Sequence, residues 1–131
     1  MSYQQPIGNP VDTWWSSIRT VIEPCIDLLG QFPPAPDTCT ANELIPTVHS
    51  ALSVIDNAHY PPQAKQIRDY LLESLIYLHK SLQEQAVHGL LAPDTAHNMA
   101  YHKFLMVSYF LLQRGIYEPT PDSYKKQQRA S

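Results

Sequence analysis

Residues 64–86 read AKQIRDYLLESLIYLHKSLQEQA, and this stretch decides the fold class. Ala64, Ile67, Leu71, Leu75, Leu78, Leu82 and Ala86 recur at spacings of three and four, the period of one helix face. Leu72 and Ile76 widen that face, and Lys65 and Asp69, four apart, mark a polar edge. Tyr60-Pro61-Pro62 before it breaks the chain and starts the helix, and Gly89 ends it. A helix with one broad apolar stripe needs neighbours to cover it, so the flanking sequence is read for further helices.

Downstream, a fourth helix is expected from about Pro93-Asp94 to Arg114-Gly115, carrying Ala96, Met99, Ala100, Met106, Val107, Phe110 and Leu111. Its centre, Phe104 to Leu112, is apolar on nearly all sides, and such a helix must be covered all round. Upstream, Thr40-Ala41-Asn42-Glu43 has the pattern of a capping box. Leu44, Ile45, Val48, Ala51, Leu52 and Ile55 follow as the stripe of a second helix, with Pro46 predicting a bend or a late start. The first helix opens at Asn9-Pro10, a capping residue followed by a residue suited to the first helical position. Val11, Trp14, Ile18, Val21, Ile22, Cys25, Leu28 and Leu29 continue it to Gly30, and Pro24 predicts a kink. Pro33-Pro34-Ala35-Pro36 reads as a stiff connector.

No internal repeat or alternating strand pattern is visible. The expected fold is therefore all-α: a single-domain, antiparallel four-helix bundle over residues 1–115, with Pro-rich connectors. Residues 116–131, rich in proline and polar side chains, are expected to form a flexible C-terminal tail.

Composition narrows the functional classes. The chain has 131 residues, enough for one core, and only 16% of them are charged, against roughly 25% in ordinary soluble domains. The net charge is −3, which argues against the large basic footprint that nucleic-acid binding normally shows. Residues 1–115 hold six Lys and Arg against ten Asp and Glu, so only the tail is slightly basic. The longest uncharged apolar run in the helical part, Phe104 to Leu112, is half the length of a membrane span of about 20 residues. The N-terminus has no positive region of the kind a signal peptide needs. With just Cys25 and Cys39, the expectation is reduced thiols in a cytoplasmic protein.

Few residues suggest chemistry. Glu84/His88 and Asp94/His97 have helical spacing and flank the turn at Gly89, so a hairpin of helices would bring them to one end. Nitrogen and oxygen ligands of that kind suit zinc or iron, but a solvated polar turn is the better explanation, and no metal or cofactor is assigned. Asp69 and Glu73 share a face with Lys65 and Arg68 and read as solvated charge. No Ser or Cys pairs convincingly with a base, and the four glycines are scattered rather than gathered in a phosphate loop.

His97-Asn98-Met99-Ala100-Tyr101-His102 resembles a degenerate form of the HEPN ribonuclease motif, in which an Arg, a polar residue and a later His lie on a late helix of a bundle. The resemblance implies an RNA-cleaving enzyme, or an inactivated relative, using His97 and His102. His97 stands where that family has Arg, and a histidine is largely neutral above its usual pKa of about 6.5. The resemblance covers six residues only.

The stronger signal is apolar surplus. Adjacent Trp14 and Trp15 diverge by about 100° on a helix, so a narrow stripe accommodates one of them. Trp15, Tyr101, Phe104, Tyr109 and Leu112 are accordingly expected at an interface. The function expected is a non-enzymatic helical interaction module that self-associates as a homodimer or docks as a small subunit of a larger assembly. The HEPN-like nuclease and a helical subunit of a nucleoprotein complex are the alternatives.

Overall fold

The structure is a computed structural model and describes residues 9–89 and 95–121. Those residues form four α-helices with no strand among them: α1 Pro10–Leu29, α2 Thr38–Asn57, α3 Lys65–His88 and α4 Thr95–Gln113. A single 3-10 turn, Pro62–Ala64, precedes α3. The four helices pack against one another. α3 has its most extensive contacts with α2 and α4, and α1 lies against α2 while also touching α3 and α4.

The local signals in the sequence place most of the helix ends. Asn9 caps α1, its side-chain oxygen accepting from the Val11 amide at 3.0 Å, with Pro10 in the first turn. Gly89, at φ 79°, closes α3 in a backbone conformation that a Cβ disfavours. α2 differs from expectation. Its cap is Asp37, whose carboxylate accepts from the Thr40 amide at 2.7 Å, so the helix begins before the expected capping box.

Neither internal proline interrupts its helix. Pro24 and the carbonyl-bearing Thr20 one turn before it are both exposed, as are Pro46 and Asn42. Each missing hydrogen bond therefore lies on the solvent side, where the unpaired carbonyl faces water rather than the core.

The core is a continuous cluster contributed by all four helices, with Ile18, Ile22, Leu71, Leu75, Phe104 and Leu111 among its fully buried members. α3 and α4 approach closely where α3 offers Ser74 and α4 offers Ala100. The Ser74 hydroxyl donates to the Ala100 carbonyl at 2.7 Å, which satisfies a buried polar group within the core. Gln85 similarly donates to the Ala35 carbonyl at 2.6 Å and anchors the α1–α2 connector onto α3.

The packed part extends beyond residue 115, where the flexible tail was expected to begin. Ile116, Glu118 and Pro121 are buried. Glu118 accepts from Arg19 Nε at 2.8 Å, from an Arg19 terminal nitrogen at 3.0 Å and from Trp15 Nε1 at 3.0 Å. This clamp fixes the segment leaving α4 to the outside of α1. Residues 122–131, the remainder of the expected tail, lie outside the described residues.

Candidate interaction surface

Tethers to α3 and to α1 set the rotation of α4 about its axis. Lys103 forms an ion pair with Glu73 of α3 at 2.8 Å, and its ammonium lies 5.5 Å from the centre of the Tyr70 ring. Phe110 stacks on the same Tyr70 at 5.7 Å between centroids. At the two ends, α4 meets α1. His97 Nε2 lies 3.1 Å from the Leu28 carbonyl oxygen, and Asn9 donates from its side-chain amide to the Arg114 carbonyl at 2.9 Å.

With that rotation, Ala96, His97, Ala100, Phe104, Val107, Ser108 and Leu111 face inward. Asn98, His102, Tyr109, Leu112 and Gln113 are exposed, and Met99, Tyr101, Leu105 and Met106 are half-buried beside them. Tyr109 is 54% and Leu112 59% exposed. No residue on this outward half is Asp, Glu, Lys or Arg. Lys103 stands at its edge, already paired with Glu73. The hydrogen bond and charge of Glu73 hold the Lys103 ammonium above its ordinary pKa, so it stays protonated.

The outward face of α3 makes the comparison that gives this meaning. It also bears exposed large apolar side chains, Ile76 at 55% and Val87 at 74%. There they are interspersed with Asp69, Glu73 and Lys80, and Lys65 pairs with Asp69 at 2.9 Å. Scattered apolar residues among charges are an ordinary solvated surface. A whole helix half that combines Tyr, Leu and Met with no charge has the composition of a contact surface.

The structure divides the expected interface residues. Tyr109 and Leu112 lie on the outward face, and half-buried Tyr101 borders it with its ring 5.8 Å from that of His102. Trp15 and Phe104 do not. Phe104 is fully buried at the centre of the inward face, and Trp15, 3% exposed, lies beneath the Glu118 clamp. Both adjacent tryptophans are covered because α1 is packed from two directions, by the other helices and by the segment after α4.

The candidates for chemistry do not assemble. His97 is buried, turned toward α1 and 5.5 Å from the Phe32 ring, whereas His102 is exposed on another side of α4. The pair invoked by the HEPN resemblance thus opens onto no common surface. Of the four possible metal ligands, Asp94 lies outside the described residues, His97 is directed at Leu28, and His88 is exposed. Among the described residues no group of three or more His, Cys, Asp or Glu has metal-binding geometry.

An open groove of about 490 Å3 runs between the start of α1 and the α2–α3 turn, lined by Pro10, Thr13, Trp14, Ser17, Tyr60 and Pro61, with His59 at one side. Two of its hydroxyls are engaged, Thr13 with the Asn9 carbonyl at 3.4 Å and Ser17 with the Trp14 carbonyl at 2.6 Å. No helix among the described residues is long and apolar enough to cross a membrane. The Glu118 clamp is the feature that sequence reasoning missed, since nothing near residue 118 announces a partner 99 positions away.

No known protein family, curated protein or solved structure matches the chain.

Proposed function

We infer that the chain is a non-enzymatic helical interaction module that docks, to another protein or to itself, through the outward half of α4. The observation that carries this reading is the uncharged face bearing Tyr109, Leu112, Leu105 and the two methionines. Leaving such a face in water forgoes roughly 25 cal/mol for each Å2 of apolar surface that a partner would cover. The bundle beneath it is read as antiparallel, with Pro-rich connectors. That arrangement is supported by the α3–α4 pairs Glu73–Lys103 and Tyr70–Phe110, in which position falls on one helix as it rises on the other. The free thiols Cys25 and Cys39 suit a reducing, cytoplasmic setting.

The test compares Tyr109→Glu with Ile76→Glu, each placing one charge on an exposed apolar position. Tagged full-length proteins are recovered from the native host and their bound proteins, including untagged copies of the same chain, are identified. Tyr109→Glu is expected to lose what wild type and Ile76→Glu retain. Identical recovery by all three refutes the assignment of the α4 face.

A further inference from the structure

His49 of α2 and His79 of α3 meet across the contact between their helices, with ring centroids 6.1 Å apart and planes inclined at 47°. We propose that the two imidazoles chelate one divalent transition-metal ion, with copper(II) held most tightly. The pair lies on α2 and α3, so the site is independent of any contact made through the outward half of α4.

The core fixes where both rings stand. Val48 and Leu78, the residues just before them, are fully buried, so neither helix turns without lifting a core side chain toward water. His49 is exposed and His79 half-buried, which leaves the pair open to solvent. Among the described residues neither ring has a hydrogen bond or ion pair to compete for its nitrogens.

Distance decides whether one ion can join them. A metal–nitrogen bond of about 2.1 Å, with the ring centre about 1.1 Å further on, puts each ring centre ~3.2 Å from the ion. Two rings on one ion are then at most about 6.4 Å apart when they stand opposite each other, and about 5.2 Å apart at a tetrahedral angle. The observed 6.1 Å falls inside that limit, nearer the opposed arrangement that a tetragonal copper(II) site uses. Copper(II) also stands above zinc in the ordinary affinity order for nitrogen ligands. A half-turn about the Cβ–Cγ bond exchanges the nitrogen and carbon positions of an imidazole without moving its centre, so each ring can present a nitrogen to the ion. Two protein ligands leave the other positions to water, in keeping with the absence of a three-ligand group among the described residues. An ion held this way exchanges with solvent, and while bound it ties α2 to α3.

The test uses the untagged full-length chain carrying Cys39→Ser, which removes the exposed thiol as a competing ligand. Copper(II) binding is followed by calorimetry and by electron paramagnetic resonance. The spectrum is expected to show two coordinated ring nitrogens. His49→Ala and His79→Ala should each weaken binding by about 100-fold, the gain that joining two ligands on one scaffold provides. His88→Ala, at an exposed histidine outside the pair, should leave binding unchanged. Copper should also raise the melting temperature of the parent far more than that of either variant.

A spectrum with a single ring nitrogen overturns the proposal, as does binding that survives either substitution or follows His88. Two equivalent weak sites, one lost with each substitution, would mean two separate surface histidines and overturn it as well. The nitrogen count is read on the intact pair, so it decides the matter even where a substitution disturbs folding.

Discussion

Glu118 offers the sharpest test of how the chain is held together, because a single carboxylate joins the last described segment to the first helix. Its side chain is 4% exposed, and it accepts three hydrogen bonds, two from the Arg19 guanidinium and one from the Trp15 indole. Hydrogen bonds to charged groups contribute about 1.5–3 kcal/mol each, and removing one partner of a buried pair costs about 3–5 kcal/mol. Arg19 is 30% exposed and regains water once the acid is gone, which places the loss for Glu118→Ala near the lower end, about 2–3 kcal/mol. At about 3–4 °C per kcal/mol for a chain of this size, the melting temperature should fall by about 8 °C. Glu118→Gln keeps an acceptor for the indole but discards the charge, and should lie between Ala and wild type.

Thermal unfolding followed at 222 nm reads these changes. A double-mutant cycle with Arg19→Ala then isolates the pair, with a coupling of about 1–2 kcal/mol expected. Truncation adds an independent arm. A chain ending at Gly115 should lose at least as much stability as Glu118→Ala, since it also gives up the buried Ile116, whereas a chain ending at Pro121 retains the clamp. Glu118→Ala and Glu118→Gln both melting within about 1 °C of wild type would refute the clamp, given that expected per-kcal shift.

Asn9 both caps α1 and donates to the carbonyl of Arg114, so Asn9→Asp, ordinarily a neutral exchange at a helix start, should lower the melting temperature by removing the donor and setting a carboxylate against a carbonyl. Asp37 is held below the usual carboxylate range, first by the Thr40 amide, so its contribution is complete above the unfolded value of about 3.9 and is lost as pH falls toward its lowered folded value. The stability gap between wild type and Asp37→Asn should therefore shrink below about pH 4 in acid titrations monitored by melting. Burial pushes the Cys25 thiol up to about 12, whereas Cys39 is exposed. A thiol reagent at neutral pH should accordingly modify Cys39 rapidly and Cys25 only on unfolding, and rapid reaction of both would contradict the packing of α1.

The fold was legible in the sequence wherever a helix had a polar side to give its apolar face a phase. The 3-4 repeat from Ala64 to Ala86 marks α3, and Asn9, Gly30 and Gly89 bracket α1 and α3 as expected. The start of α2 was misplaced because Asp37 and Thr40 are both competent caps, and a local pattern does not rank two caps one turn apart. α4 was legible as a helix but not in its rotation. An all-round apolar segment carries no phase of its own. The phase comes from long-range partners instead: Glu73 pulling Lys103, and Ser74 and Ala100 permitting close approach. Phe104 was thereby assigned to the surface when it belongs to the core. The tail boundary failed for a related reason, since the carboxylate that holds it answers to Arg19 and Trp15, far away in sequence.

Those corrections change what kind of contact the α4 face can make. With Trp15 and Phe104 inside, the surplus of large side chains contracts to one helix half, whose most exposed members are Tyr109 and Leu112. Tyr presents an apolar ring and a hydroxyl that tolerates water, and Asn98, His102 and Gln113 at the margins can hydrogen-bond solvent whether or not a partner is present. Such a face is stable in the free chain, unlike one that exposed Trp15 and Phe104 as well. It also lacks charges to steer encounter or to be screened by salt, so the association proposed through it would depend on buried area and not on ionic strength. The Lys103–Glu73 pair and the Tyr70–Phe110 stack sit just behind the face and hold its helix in one rotation. A partner of the kind proposed would therefore meet a helix already held in place, and little backbone ordering on binding would offset the area it covered.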